Sequence, residues 1–197
     1  MIELVCASAN PDKAAEMAEV LEGRAVLLPR PDGAGEVVED ADSLEGNALL
    51  KARAVCDFAG AAALADDTGL EVDALGGAPG VHSARYAGPG AGYADNLARL
   101  LEEMRYFEMP QRTARFRTVA AVCFPDGASV SAEGVVEGLV LAEPRGTGGF
   151  GYDPVFAPDE AGGLTFAEMA PAAKNAVSHR ARALRALLAM LEKPSEP

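Results

Sequence analysis

The sequence has few cysteines, no long apolar run and a shortage of basic residues, and each lack excludes a class of protein. The three cysteines, at positions 6, 56 and 123, are far apart and odd in number. They offer no disulfide framework and no metal-ligand spacing, so buried free thiols in a reducing compartment are expected. No run approaches the roughly 18 apolar residues of a membrane span, and the N-terminus lacks the basic segment of a signal peptide. We therefore expect a cytoplasmic protein with no membrane contact.

Acidic residues outnumber basic ones, 30 Asp and Glu against 17 Lys and Arg, which gives a net charge of −13. This balance argues against a surface that binds DNA or RNA polymers. A small anionic ligand is compatible with it, because a few placed cations or a bound metal reverse the local field. Hydrophobic residues make up 49 % of the chain, enough for the 197 residues to bury a core as a single domain, residues 1–197.

The first chemical signal is the passage from an apolar run, residues 2–7, into the polar segment Ser8-Ala9-Asn10-Pro11-Asp12-Lys13. Asn is favoured at a helix N-cap and Pro at the first helical position, so a strand is predicted to lead into a helix at Pro11. Free backbone N–H groups at such a helix start bind anions, and Lys13 adds a full charge. A plain turn with a solvated lysine explains the same residues.

A second helix is predicted from Ser43 as N-cap to Gly60 as its end, with Asn47 and Lys51 on one face. The apolar run that follows, residues 61–65, predicts a buried strand that ends at Asp66-Asp67-Thr68-Gly69. Carboxylates at a strand end lie where α/β sheets place active sites, and they suit Mg²⁺. The alternative is an acidic turn before another strand over residues 70–75.

The second half of the chain begins with a hairpin signal. Asp126-Gly127 lies between strand-like segments at 115–124 and 129–141, which predicts an antiparallel pair and therefore a mixed sheet. Gly146, Gly148 and Gly151 have the spacing of a dinucleotide-binding loop, but no helix is predicted after them, so that interpretation is rejected. The glycines instead suggest a loop that approaches a flat ligand, with Phe150 and Tyr152 available to stack and Asp153 to hydrogen-bond.

One long final helix is predicted from Pro171 to Leu191, followed by a frayed tail at Lys193 to Pro197. Lys174 lies at its N-terminal end, where the helix dipole disfavours a cation, and this suggests an anionic partner. His179 and Arg180, one turn further, supply directional donors. The cations Lys13, Lys51, Lys174 and Arg180, together with the carboxylates Glu39, Asp66 and Asp67, indicate a pocket for a magnesium–nucleotide complex.

Several groups of motifs follow one another along nearly the whole chain. They are Ser8 to Lys13, Asn47-Ala48 with Lys51-Ala52, Ala65 to Leu70, Leu75 to Gly80 with Ser83 to Tyr86, Gly149 to Pro154, and Lys174 with Ser178 to Arg180. In this order they resemble the motifs of the inosine triphosphate pyrophosphatase family, the XTP/dITP diphosphatases, which remove aberrant purine triphosphates. The combination is highly specific.

The resemblance implies an α/β fold in which an elongated mixed sheet is flanked by helices in two lobes, with the substrate in a central cleft. It implies a homodimer that hydrolyses ITP, dITP and XTP to the monophosphate and pyrophosphate. Two alternatives stay open: another Mg²⁺-dependent hydrolase that acts on modified pyrimidine triphosphates, and a nucleotide-binding protein without catalysis.

The resemblance also assigns roles to the matching residues. Phosphate binding falls to Ser8, Ala9, Asn10, Pro11, Asp12 and Lys13, with charge from Lys51 and Lys174. Glu39 and Asp67 would bind Mg²⁺, and Asp67 would be the base, with Asp66 as support or as a further metal contact. Thr68 would contact the substrate. The base would be enclosed and read by Phe150, Gly151, Tyr152, Asp153, His179 and Arg180, whose donors favour a 6-keto purine.

The chain departs from the family pattern at three positions. Gly46 stands where the family has Glu before the helix Asn, and Glu45 lies one position earlier, so Glu39, Glu45 and Asp66 are each candidates to complete the metal shell. Thr68 replaces a serine and keeps its hydroxyl. His82 stands where Tyr is common, and it is expected to lie outside the site.

Overall fold

The computed structural model describes residues 1–192, and the tail predicted at Lys193 to Pro197 lies outside the described residues. The elements in chain order are β1 (Ile2–Cys6), α1 (Pro11–Leu21), β2 (Ala25–Leu28), α2 (Leu44–Ala59), β3 (Ala63–Val72), α3 (Tyr93–Glu103), β4 (Thr113–Cys123), β5 (Ser129–Val140), β6 (Phe156–Pro158), α4 (Pro171–Val177) and α5 (His179–Leu191). Short 3-10 turns lie at Asp73–Leu75, Gly80–Arg85, Asp159–Ala161 and Phe166–Glu168. No helix within this described range has the length and apolar character needed to cross a membrane.

The strands form one six-stranded sheet in the order β2-β1-β3-β4-β5-β6. β1 pairs in parallel with β2 and with β3, whereas β5 and β6 are antiparallel. β4 and β5 are neighbours joined by a tight turn, in which the Phe124 N–H donates to the Ala128 carbonyl over 2.9 Å. The predicted α/β class, mixed sheet and hairpin are confirmed.

The prediction of two strands around Asp66 and Asp67 is wrong. β3 runs unbroken from Ala63 to Val72, so both carboxylates lie in the interior of a strand. Gly69 does not turn the chain. Its role is close approach, because a Cβ atom there would lie 2.6 Å from the Gly80 carbonyl oxygen.

The prediction of one long final helix is also wrong. α4 ends at Val177, and Ser178 has extended backbone angles, φ −63° and ψ 152°, before α5 begins at His179. Lys174 therefore lies in the last turn of a short helix, where the dipole favours a cation. The dipole therefore gives no reason to expect an anionic partner for Lys174, although Lys174 does pair with Asp153.

The chain divides into two compact units, each with its own core. Unit 1 comprises Met1–Asp67, Thr118–Gly134 and the chain from Arg180 onward, and unit 2 comprises Thr68–Arg117 and Val135–His179. The main core of unit 1 includes Leu4, Met17, Leu64, Val122 and Leu184. The core of unit 2 includes Leu70, Leu100, Phe116, Val136 and Phe156.

Candidate active site

The two carboxylates of β3 have different partners. Asp67 contacts side chains of α2, and Asp66 contacts side chains of α1 and α5. Successive residues of a strand point to opposite faces, which separates the neighbours. We call Glu39, Asn47, Lys51 and Asp67 the Asp67 cluster, and Lys13, Glu16, Asp66 and Arg180 the Asp66 cluster; both belong to unit 1.

Lys51 is the centre of the Asp67 cluster. Its Nζ lies 2.7 Å from Asp67 Oδ1 and 3.3 Å from Glu39 Oε2, so two carboxylates converge on one ammonium group. The Asn47 amide donates to the other oxygen of Asp67 over 3.4 Å. Helical spacing of four residues brings Asn47 and Lys51 to the same face of α2, as the sequence predicts.

Burial and charge act in opposite directions on this pair. Burial raises the pKa of the Asp67 carboxyl, while the Lys51 and Lys13 ammonium groups oppose the shift. Burial alone would lower the pKa of Lys51, but Asp67, Asp66 and Glu39 outweigh it and raise that pKa. The lysine is therefore held as a cation beside a desolvated carboxyl.

The Asp66 cluster contains two cations and two anions. Asp66 Oδ2 lies 3.3 Å from Lys13 Nζ and 3.1 Å from Arg180 Nε, and Arg180 also pairs with Glu16. The Arg180 side chain is only 2 % exposed. Burial lowers the pKa of Lys13, and Asp66 opposes that shift. Arg180 is thus engaged in a buried ion-pair network of unit 1, and its role in reading the base stays a prediction.

The start of α1 is as predicted, but its backbone donors are not free. Asn10 is the N-cap, and its Oδ1 accepts from the N–H groups of Asp12 and Lys13 at 2.9 and 3.3 Å. Pro11 has no N–H. The N-cap side chain therefore occupies two backbone donors of the predicted anion site, while the Ser8 hydroxyl donates to the Asn10 carbonyl over 3.5 Å and Lys13 pairs with Asp66.

The glycine loop of unit 2 is folded around Asp153. Asp153 Oδ2 accepts from the Phe150 N–H over 2.8 Å and from Lys174 Nζ over 2.6 Å. The Lys174 ammonium lies 5.0 Å from the centre of the Phe150 ring, a cation–π contact. No helix follows within this part of the described chain, which agrees with the rejection of a dinucleotide fingerprint.

The aromatic residues of this region divide into exposed and buried ones. The Phe150 ring is half-buried, and its centroid lies 5.6 Å from that of Tyr93, a residue that sequence reasoning missed because no local pattern marks it. Tyr152 is buried and its hydroxyl donates to the Ser83 carbonyl over 2.9 Å, so it supports the core and is not open for stacking. His179 is also buried and stacks on Phe116 at 4.4 Å.

The remaining predicted residues have distinct surroundings. Ala9, Pro11 and Asp12 are exposed at the start of α1, and Thr68 and Gly151 are half-buried. Glu45 accepts from the Ser131 hydroxyl over 2.6 Å. Gly46 leaves no room for a side chain, because a Cβ atom there would lie 2.6 Å from Ala41 Cβ. His82 lies on the 3-10 turn Gly80–Arg85 and is exposed.

Glu16 was also missed by sequence reasoning. It lies three residues after Lys13 on α1, so the two side chains share a face. That spacing is the one signal that links Glu16 to the cluster. Within residues 1–192, no group of three or more His, Cys, Asp or Glu side chains is arranged to hold a metal ion.

An α/β fold with two lysine–carboxylate clusters on one strand defines a protein suited to a phosphorylated ligand, since cations meet the phosphates and carboxylates meet a divalent metal. A sequence model of the Ham1 family matches residues 4–190, and the chain belongs to that family.

Individual relatives are similar over nearly their whole length. A dITP/XTP pyrophosphatase from Caulobacter vibrioides is 47 % identical, covering 96 % of this chain and 97 % of that protein. One from Bacillus subtilis is 43 % identical, covering 98 % of each. The solved structure of a HAM1 protein from Coxiella burnetii has a TM-score of 0.85 at 39 % identity, covering 97 % of this chain and 98 % of that one. The fold is therefore shared from end to end.

Proposed function

We propose that this protein hydrolyses the non-canonical purine nucleoside triphosphates ITP, dITP and XTP to the monophosphate and pyrophosphate. Its relatives from C. vibrioides and B. subtilis bear the name dITP/XTP pyrophosphatase. The observation that carries the proposal is the convergence of Asp67 and Glu39 on the Lys51 ammonium, at 2.7 and 3.3 Å. This arrangement provides a carboxylate base, a second oxygen ligand and a cation for phosphate within a single cluster.

The donors of the Asp67 cluster fit a magnesium ion. Mg²⁺ in phosphate-processing sites is held by one or two carboxylates, with waters and substrate phosphates completing the shell. Glu39 and Asp67 would hold it, whereas Glu45 bonds to Ser131 and Asp66 pairs with Lys13 and Arg180. When bound, the ion supplies positive charge to the phosphates and makes water a better nucleophile.

Asp67 is the base in this proposal. Its carboxylate takes a proton from a water molecule, whose oxygen attacks the α-phosphorus while the bond to the bridging oxygen of the β-phosphate breaks. The pyrophosphate leaves with the electrons of that bond. Lys51 holds Asp67 in place through its 2.7 Å contact, and its charge, with that of Lys13, stabilises the developing negative charge on the phosphates.

The unit 2 residues are proposed to bind the base end of the substrate. Phe150 offers a half-buried ring, Asp153 and Lys174 hold its loop, and His179 is stacked on Phe116. A donor from His179 to a 6-keto oxygen would favour hypoxanthine and xanthine. Adenine carries an amino group there and would leave the buried donor unpaired, the kind of mismatch that discriminates strongly.

A panel of triphosphates with separate detection of pyrophosphate and orthophosphate tests the function. We expect Mg²⁺-dependent pyrophosphate release from dITP, ITP and XTP, with kcat/KM at least about 10²-fold above that for dATP. Orthophosphate as the product, or equal rates on dATP, would contradict the proposal. Faster turnover of modified pyrimidine triphosphates would favour the alternative hydrolase, and dITP binding without turnover would favour a non-catalytic protein.

The homodimer and the cytoplasmic location stay predictions from the resemblance and the composition. Light scattering of the purified protein measures the first directly. A mass of twice the chain's 20.3 kDa would support it, and the monomer mass at working concentration would exclude it.

A further inference from the structure

Asn47 is fully buried in unit 1 and bonds in two directions. Its side-chain amide donates to Asp67 Oδ2 over 3.4 Å, and its Oδ1 accepts from the Ala41 N–H over 3.0 Å. Ala41 lies two residues after Glu39 in a segment without helix or strand. A single side chain therefore joins the interior of β3 to the segment that carries Glu39.

The same segment is pressed against the start of α2. Gly46 lies on the first turn of that helix, and a Cβ atom there would meet Ala41 Cβ at 2.6 Å. That separation is too short for two carbon atoms, so only glycine permits the approach. Asn47 and Gly46 thus fix Ala41 independently, one by a hydrogen bond and the other by the lack of a side chain.

We propose that Asn47 is a positioning residue which, together with the Gly46–Ala41 contact, sets the separation of the Glu39 and Asp67 carboxylates for the divalent cation. The proposal rests on the proposed function for the role of that cation. Lys51 reaches the Glu39 carboxylate through two long side chains, at 3.3 Å. The bond from the Ala41 N–H to Asn47 instead holds the backbone of the segment two residues after Glu39.

Metal binding distinguishes a positioning role of Asn47 from a purely structural one. A residue that only stabilises the fold would change the melting temperature and the fraction of active protein. A residue that spaces two carboxylates changes the cation affinity of the folded protein. Residues that orient metal ligands typically contribute about 10- to 100-fold to metal affinity.

Mn²⁺ titrated into the protein, with a non-hydrolysable dITP analogue present and free Mn²⁺ followed by electron paramagnetic resonance, tests this. We expect Asn47→Ala and Gly46→Ala each to weaken Mn²⁺ binding by about tenfold or more. In both variants the Mg²⁺ concentration for half-maximal dITP hydrolysis should rise similarly, and excess Mg²⁺ should recover most of kcat. The Ala41 amide should exchange its hydrogen faster in Asn47→Ala.

Gly60→Ala is the matched control. Gly60 ends the same helix at φ +63°, and no atom lies within 4 Å of the position that a Cβ atom would take, so alanine strains α2 without touching Ala41. It should lower the melting temperature and leave Mn²⁺ affinity unchanged.

Folded Asn47→Ala and Gly46→Ala proteins that bind Mn²⁺ like the wild type would overturn the proposal, as would a wild type that binds none. If Asn47→Ala fails to fold, Gly46→Ala decides alone, because it retains the amide. Turnover of dITP by the wild type, measured in parallel, tests the proposed function separately.

Discussion

Replacing Asp67 by Asn is expected to lower kcat for dITP by about 10²- to 10⁴-fold, the usual contribution of a general base. Asn has nearly the same shape and can still accept from Lys51, so the cluster keeps its packing. It cannot take a proton from water, and it is a poorer ligand for a divalent cation. Steady-state pyrophosphate release, with circular dichroism to verify folding, measures the effect.

Asp57→Asn provides the control for this variant. Asp57 lies on α2 in the same unit, its side chain is 66 % exposed, and its nearest cation is Arg53 at 3.9 Å. The Asp57→Asn substitution makes the same change of charge as Asp67→Asn, at a side chain that does not contact the Asp67 cluster. Its kcat should stay within about twofold of the wild type, because exposed ion pairs contribute little. An Asp67→Asn enzyme that retains more than about a tenth of the wild-type kcat would remove Asp67 as the base.

Arg180→Met is expected to destabilise the protein by about 3–5 kcal/mol, because it removes the cation of two ion pairs in a buried network. Asp66 is 1 % exposed and pairs with Arg180 and Lys13, and Glu16 also pairs with Arg180. The free energy of unfolding from urea titration measures the loss. Adding Asp66→Asn should recover part of it, since the second change removes one stranded charge.

Arg185→Met serves as the control, because Arg185 lies on α5 like Arg180 but is exposed. Its free energy of unfolding should stay within about 0.5 kcal/mol of the wild type. The resemblance assigns Arg180 to base recognition, and the two roles give opposite results. Near-normal stability combined with a loss of discrimination between dITP and dATP would contradict the ion-pair role of Arg180.

Those elements whose signals are local were predictable from the sequence. Asn10-Pro11 sets the start of α1, Ser43 and Gly60 bound α2, and Asp126-Gly127 marks the hairpin, and all of them are as predicted. In each case a cap or turn residue acts on backbone groups within a few positions of itself. Their placement needed no knowledge of the tertiary structure.

The failures occurred where distant residues decide the local conformation. Gly69 suggests a turn by composition, yet it lies within β3, where the Gly80 backbone approaches too closely for a Cβ atom. The apolar stripe of the final helix continues across Ser178, although the chain breaks there into α4 and α5. The close approach of the Gly80 backbone and the interruption of the helix at Ser178 do not change the pattern of apolar residues from which strands and helices are predicted.

The same limit applies to the site. The shared face of Asn47 and Lys51 follows from helical spacing, but neither the contact of Lys51 with Asp67 nor the partners of Arg180 follow from it. Glu16 and Asp66 reach Arg180 from elements far away in the chain, at positions 164 and 114 residues distant. The sequence shows which side chains are charged, whereas only the fold shows which of them form ion pairs.

The position of bond cleavage tests the central claim most directly. Hydrolysis of dITP in water enriched in ¹⁸O, followed by mass spectrometry of both products, shows which phosphorus the water attacks. Attack at the α-phosphorus with Asp67 as the base predicts one ¹⁸O atom in the nucleoside monophosphate and none in pyrophosphate. Label in the pyrophosphate, or release of labelled orthophosphate, would contradict the proposed reaction.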